Sequence, residues 1–202
     1  MKALLLNGPG QPFSIETIED PTPQKGYAVA KVLACGSGLT IQHVKAGRII
    51  VNYPRIIGHE IIGEIVEING HGGDLEIGTP VTAFFYLTCG HCRWCNIDRE
   101  TLCDNFRGYI GREIDGGYAE YIKLPIENFI KIPEEIDYKN NLLETAVVCD
   151  AVATPLKILK KARISSFDKV GVIGAGGGLG IHMLKMIKLN NISAIGIDTK
   201  TE

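Results

Sequence analysis

Residues 170–180 read VGVIGAGGGLG, and the reading of this stretch decides the second half of the fold. Val170–Ile173 is a short apolar, β-branched run of the kind that forms a buried strand. Five glycines follow within residues 174–180, and from about Leu179 to Leu189 apolar residues recur at helical spacing. A second strand is predicted over Ile192–Ile197 and ends at Asp198. Strand, glycine turn, helix and strand in that order make a βαβ unit, whose right-handed crossover makes the two strands parallel. A glycine turn that opens a helix presents backbone N–H groups to an anion, so the stretch is a candidate cradle for a dinucleotide pyrophosphate. One extra glycine breaks the strict G-x-G-x-x-G spacing. Gly174, Gly177 and Gly180 fit G-x-x-G-x-x-G instead, and Gly176, Gly178 and Leu179 complete the candidate contact set. Asp198 stands 24 residues after Gly174. A carboxylate there accepts hydrogen bonds from the adenosine ribose and repels a 2′-phosphate, which favours NAD over NADP.

Upstream of this unit, Asn141–Cys149 and Ala151–Ala162 carry apolar residues at helical spacing. Before Pro133 the chain reads as β-rich. Strands are predicted over Ala28–Ala34, Ile61–Ile68, Pro80–Phe85 and Gly117–Leu124, separated by Gly, Pro and Asn turn signals. Many short strands with such punctuation suggest a partly open barrel or a sandwich.

The chain has 202 residues, enough for one large domain or two small ones. Hydrophobic residues at 45% and charged residues at 22% are those of a globular protein rather than a disordered one. A net charge of −2 gives no electrostatic reason to expect nucleic acid or an anionic membrane as partner. The densest basic run, Lys157 to Arg163, lies on a predicted helix and reads as a solvated face. No apolar stretch reaches the ~18 residues needed to span a bilayer. The opening MKALLLNGPG breaks too early, at Gly8-Pro9, for a signal peptide. The expected compartment is the cytoplasm.

Residues 89–103, CGHCRWCNIDRETLC, place Cys89, Cys92, Cys95 and Cys103 in one tight loop. Four thiolates can close a tetrahedral shell around zinc, and two-residue spacers let neighbouring sulfurs reach one ion at ~2.3 Å. Two disulfides are the alternative, but cysteines three apart in a row rarely meet disulfide geometry pairwise. A closed four-thiolate site staples a loop and performs no catalysis.

The cysteine loop, GHE at Gly58-His59-Glu60, GGYAEY at 116–121 and the glycine-rich βαβ start occur together. With all four, the sequence resembles the zinc-containing medium-chain alcohol dehydrogenases over essentially its whole length. The resemblance implies an α+β protein: a GroES-like β-barrel with a zinc lobe over residues 1–145, then the start of a parallel α/β Rossmann domain over 146–202. It implies an NAD-linked oxidoreductase with zinc and NAD as cofactors and a small-molecule substrate. The full-length form is expected to be a homo-oligomer. Family members run much longer, so the chain is expected to be C-terminally truncated, with a hydrophobic sheet edge and helix face left open.

In that family the catalytic zinc is held by the cysteine of a C-x-[ST]-D segment, the histidine of GHE and a cysteine before the Rossmann domain. Carried over, His59 matches the second donor and Cys149, in VVCDAVAT, the third. The first segment falls on Gly38-Leu39-Thr40-Ile41. Thr40 matches the hydroxyl that passes the substrate proton, and His43 matches the relay histidine. The ligand cysteine has become Gly38 and the outer aspartate has become Ile41. Gly38 is either a vacated ligand position or a glycine demanded by left-handed backbone. Cys35 lies three residues early, about 10 Å upstream at ~3.3 Å per residue, and is expected to be a core thiol. In related enzymes the glutamate of GHE lies behind the metal and can approach it. The residual donors are therefore His59, Glu60 and Cys149, with a plain core histidine as the other reading of His59.

Three functions follow. The first is an NAD-linked dehydrogenase acting on an alcohol or carbonyl, with a structural zinc and an impaired catalytic zinc site. The second is a zinc-independent reductase of activated double bonds; the G-x-x-G-x-x-G form resembles that of some zinc-free quinone and enoyl reductases and also that of some microbial alcohol dehydrogenases. The third is a fragment with no turnover.

Overall fold

The computed structural model describes residues 1–199; of the expected second domain, residues 200–202 lie outside the described residues. The chain divides into two compact units, Met1–Ala146 and a second that begins at Val147.

The first unit is built on antiparallel strands. Strand β1 (Lys2–Leu6) pairs with β2 (Phe13–Thr17) and with the short β4 (Arg55–Ile56). A five-stranded sheet has the order β7-β3-β5-β6-β8, from Tyr121–Pro125, Tyr27–Cys35, Ile61–Asn69, Pro80–Ala83 and Phe129–Lys131. The two sheets meet where residues 116–120 cross between them. Gly117 and Tyr118 donate to the carbonyls of Gly58 and Ile57, while Leu4 and Glu120 bond to the carbonyls of Tyr118 and Lys2. An antiparallel bridge from Ala3 to Ala119 completes the seam that ties the three-stranded sheet to the five-stranded one. This seam is why β7 starts at Tyr121 and not at Gly117: GGYAEY spends its first residues joining sheets. Similarly, β6 ends at Ala83 because Phe84 turns to the Asn128 carbonyl, and residues 85–87 pair instead with 107–110. The core between the sheets is aliphatic, with Ala28, Ala30, Ile61, Ile65, Val81, Ile110, Ile122 and Leu124 all buried.

Strands β1, β2, β4 and β8 and the first helix escaped the strand pattern. β1 is the apolar KALLL run at the start of the chain, and α1 (Leu39–Lys45) is a seven-residue helix. Ile41 and Val44 on α1 pack with Leu6, Val51 and Ile57 in a second cluster. Ile41 is thus a core residue, which accounts for its apolar side chain.

The first unit ends in α2 (Leu142–Ala146), which packs on Ile62 and Ile132. The second begins with a wide π-type turn over Val148–Val152, closed by the Val152 N–H on the Val147 carbonyl at 3.3 Å, and continues as α3 (Ala153–Ala162). The spacing predicted one helix from Ala151. Pro155 has no N–H to offer the carbonyl four residues back, so the regular helix begins later and the turn before it widens.

Strands β9 (Lys169–Ile173) and β10 (Ser193–Ile197) pair in parallel, in register from Lys169–Ser193 to Ile173–Ile197, and α4 (Gly178–Leu189) connects them. Val172, Ala175, Met183 and Ile187 form the small core beneath the sheet. Every residue of β10 is exposed, and Ile173 is 86% exposed. One βαβ unit cannot cover both faces of its own sheet.

Candidate functional site

The four cysteines of the loop come together. Their sulfurs all lie within 4.8 Å of one another, with Cys92–Cys95 and Cys89–Cys103 at 3.5 Å and Cys92–Cys103 at 3.9 Å. These are not disulfide bonds, which would be about 2.05 Å. A tetrahedron of 2.3 Å zinc–sulfur bonds has edges of about 3.8 Å, and the observed spread brackets that value. The loop turns tightly through residues 95–97 and 100–102 to gather the thiols. Backbone donation from His91 draws the Cys89 thiol down to about 5, despite some desolvation, whereas burial pushes Cys95 up to about 11. The donor set fits a closed structural zinc.

The second cluster lies where β3 runs into α1. The β3–β5 ladder pairs Cys35 with Ile61 and continues one step through the Gly36 N–H to the Glu60 carbonyl at 2.7 Å. This register carries residues 36–38 alongside 58–60. His59 and Glu60 are both buried, and the His59 ring lies against Phe85 with centroids 5.0 Å apart. Gly58 sits at φ +97°, and a side chain there would strike the Tyr118 ring at 2.7 Å and the Cys35 sulfur at 2.8 Å. Only glycine fits before His59. Cys35 therefore packs into a wall of glycine and tyrosine. Burial raises the Tyr118 phenol above its usual range, offset in part by Ser37 and helped by the charges of Cys35 and Glu60.

Gly38 precedes α1 at φ −88° and ψ −177°, ordinary extended backbone. Left-handed geometry does not explain the glycine. A side chain there would have open space, with one neighbour within 4 Å: Oε2 of Glu60, at 3.8 Å from the Cβ position. The carboxylate of Glu60 thus borders the place from which a cysteine sulfur would project if Gly38 were replaced. His59 and Glu60 supply an imidazole and a carboxylate, and Gly38 supplies nothing. Among the described residues, the four cysteines are the one set of three or more His, Cys, Asp or Glu groups close enough to share an ion. The family's catalytic zinc set does not fit this chain as it stands.

Thr40 and His43 lie three apart on α1, on one side of the helix, and both are half-buried. His43 Nδ1 is 3.3 Å from Nη1 of Arg48, a residue that no motif singled out. Phe85 was also silent in the sequence, since one aromatic in FFY looks like any other until the ring contact is seen. Cys149 lies in the π-type turn of the second unit.

At the glycine turn, the Gly176 N–H donates to Oδ2 of Asp198 at 2.8 Å. A side chain at Gly180 would overlap the Gly174 carbonyl, so that glycine permits the close packing of helix on strand. Gly177 begins α4 in extended conformation, and Gly178 and Leu179 form its first turn.

Residues 24–134 match the family described as the alcohol dehydrogenase GroES-like domain, and the chain belongs to that family of oxidoreductases. It is 31% identical over 205 residues to an acryloyl-coenzyme A reductase of Sulfurisphaera tokodaii, covering 100% of this chain and 60% of the relative. It is 32% identical over 206 residues to an alcohol dehydrogenase of Geobacillus stearothermophilus, covering 100% of this chain and 59% of the relative. The structure of a cobalt- and zinc-bound thermostable alcohol dehydrogenase from Pyrobaculum aerophilum superposes with a TM-score of 0.90 at 30% identity, over 99% of this chain and 60% of that one. The architecture is accordingly a GroES-like domain followed by the start of a Rossmann-like domain. The chain spans about 60% of the length of the relatives it matches. No helix among the described residues is long and apolar enough to cross a membrane.

Proposed function

We propose that this chain is the substrate-side domain and first nucleotide-binding unit of an NAD-linked oxidoreductase that moves a hydride between a small alcohol and its carbonyl. The observation that carries the reading is the glycine turn closed by Asp198, whose carboxylate holds the Gly176 N–H at 2.8 Å. That carboxylate is the group that would take the ribose hydroxyls and repel a 2′-phosphate, with Gly174, Gly176, Gly177, Gly178, Leu179 and Gly180 forming the pyrophosphate cradle. NAD, when bound, supplies the hydride acceptor. Thr40 takes the proton of the substrate hydroxyl and His43 passes it outward. The structural zinc of Cys89, Cys92, Cys95 and Cys103 braces the lobe. His59, Glu60 and Cys149 match what remains of the family's catalytic metal donors, and without a thiolate at position 38 they are not expected to hold an ion tightly. The working protein is a cytoplasmic homo-oligomer.

A second reading, reduction of a carbon–carbon double bond conjugated to a carbonyl, is favoured by Gly38. Conjugation stabilises the developing charge without a metal, and similarity to an acryloyl-coenzyme A reductase points the same way. The deciding experiment completes the second domain by fusing residues 1–199 to the corresponding C-terminal segment of the Geobacillus stearothermophilus relative. NADH oxidation is then followed with simple ketones and with enones, with and without a chelator. Chelator-sensitive ketone reduction supports the first reading. Chelator-insensitive enone reduction without ketone reduction overturns it in favour of the second, and no turnover by a folded chimera overturns both.

A further inference from the structure

The C-terminal end of α1 folds back on His43. Gly47 adopts φ +72°; its N–H bonds to the Val44 carbonyl at 3.0 Å, and the Arg48 N–H bonds to the His43 carbonyl at 2.9 Å. These paired reverse bonds are the Schellman closure of a helix. The turn is also held from outside, since the Gly10 N–H bonds to the Lys45 carbonyl at 2.6 Å and a side chain at Gly47 would strike Pro9 at 2.9 Å. Backbone geometry thus fixes Arg48 beside His43. From there its Nη1 reaches Nδ1 of the His43 ring at 3.3 Å.

A guanidinium donates hydrogen bonds and accepts none. The nitrogen facing it must carry a lone pair, so neutral His43 keeps its proton on Nε2. We infer that Arg48 is a positioning residue that fixes the tautomer of His43 and thereby the direction in which the ring passes a proton. The inference rests on His43 as the relay. A proton can enter only at Nδ1, once Arg48 swings off, and the proton that leaves departs from Nε2. One N–H bond forms and one breaks, the ring returns to neutral, and Arg48 remains a cation throughout. The ring returns to the Nε2–H form when Nδ1 gives its proton to solvent water and Nε2 takes one from water, and Arg48, donating again to the bare Nδ1, favours that form. A surface arginine at a helix end therefore has a task in the chemistry, although it lies beyond the relay residue and touches no substrate.

The test is long-range ¹H–¹⁵N spectroscopy of the imidazoles in the 202-residue chain, with the His43 signals identified by their loss in His43→Gln. Neutral wild-type His43 should show protonated Nε2 and bare Nδ1. Arg48→Gln should move the tautomer ratio roughly fivefold toward Nδ1–H, the effect of one ordinary hydrogen bond, and Arg48→Lys should restore most of it. Amide spectra establish that each variant is folded. A wild-type ring protonated on Nδ1 overturns the inference, as does a ratio that Arg48→Gln changes by less than about twofold. The readout needs no turnover. It stands apart from the relay reading, which fails if His43→Gln leaves turnover intact in the chimera described above.

Discussion

Replacing Gly38 by Cys tests whether the missing donor is the reason that the second metal site is incomplete. The backbone at φ −88° accepts a side chain without strain, and the Cβ position has 3.8 Å of clearance to Glu60 Oε2. Removing a glycine restricts the unfolded chain and stabilises by about 0.4–1 kcal/mol. Losing glycine at the N-cap costs a comparable amount, because glycine caps a helix better than a residue with an apolar or thiol side chain. Gly38→Cys should therefore fold as well as wild type, within about 0.5 kcal/mol. Its sulfur would stand near Glu60 and add a thiolate to the imidazole and carboxylate of His59 and Glu60. Cobalt-substituted variant should show absorption from an additional thiolate-bound ion, and elemental analysis should show one metal more per chain than wild type. The outer aspartate of the family cannot be restored in the same way. Ile41 is buried with Leu6, Val44, Val51 and Ile57, and an ionised carboxylate there would cost several kcal/mol. A folded Gly38→Cys protein that binds no additional metal would refute the reasoning and identify Gly38 as part of a remodelled pocket.

Asp198→Ala should narrow the preference for NAD over NADP by about tenfold, the effect of losing hydrogen bonds to a charged acceptor, measured by fluorescence titration of the chimera with both reduced cofactors. In the 202-residue chain, NAD should bind more weakly than micromolar (about −8 kcal/mol), and a tighter calorimetric value would show that one βαβ unit suffices. Gly58→Ala should destabilise the first unit by about 2–5 kcal/mol, from left-handed backbone and contact with Tyr118 and Cys35; urea unfolding within about 1 kcal/mol of wild type would contradict the account of His59 placement. Tyr138 donates to Glu64 at 2.6 Å, and this bond, with some burial, pushes its phenol up to about 12. A raised phenol stabilises the fold below the unfolded value near 10 and loses that stabilisation as pH climbs to 12. Tyr138→Phe should therefore be less stable by about 1 kcal/mol at about pH 8, with the gap closing toward about pH 12; a gap independent of pH would rule this out.

The sequence carried the cysteine lobe and the βαβ unit in full, because both depend on spacing within a few dozen residues. Strands β3 and β5 were legible from their β-branched runs and came within a residue or two of their observed ends. What spacing could not show was pairing across the chain. GGYAEY reads as one strand until its first residues are seen joining two sheets. Glu60 borders Gly38 only through the β3–β5 register, and Phe85 meets His59 only after residues 85–87 leave β6 for 107–110. Arg48 was invisible for a different reason: a helix end of seven residues with a glycine turn carries too little pattern to forecast which side chain folds back. Ile41 looked like a lost aspartate in the motif, and the packing of α1 shows what replaced its role.

The four-cysteine loop has a full set of metal donors, whereas the cluster around His59 and Glu60 lacks one at Gly38. Elemental analysis of purified protein, before and after dialysis against a chelator of moderate strength, measures this directly. Wild type should keep close to one zinc per chain through dialysis, and Cys92→Ser should lose it, with destabilisation of the lobe. Two zincs per chain that both survive dialysis would contradict this, and would mean that a second site holds an ion as firmly as the four-thiolate loop despite the glycine at position 38.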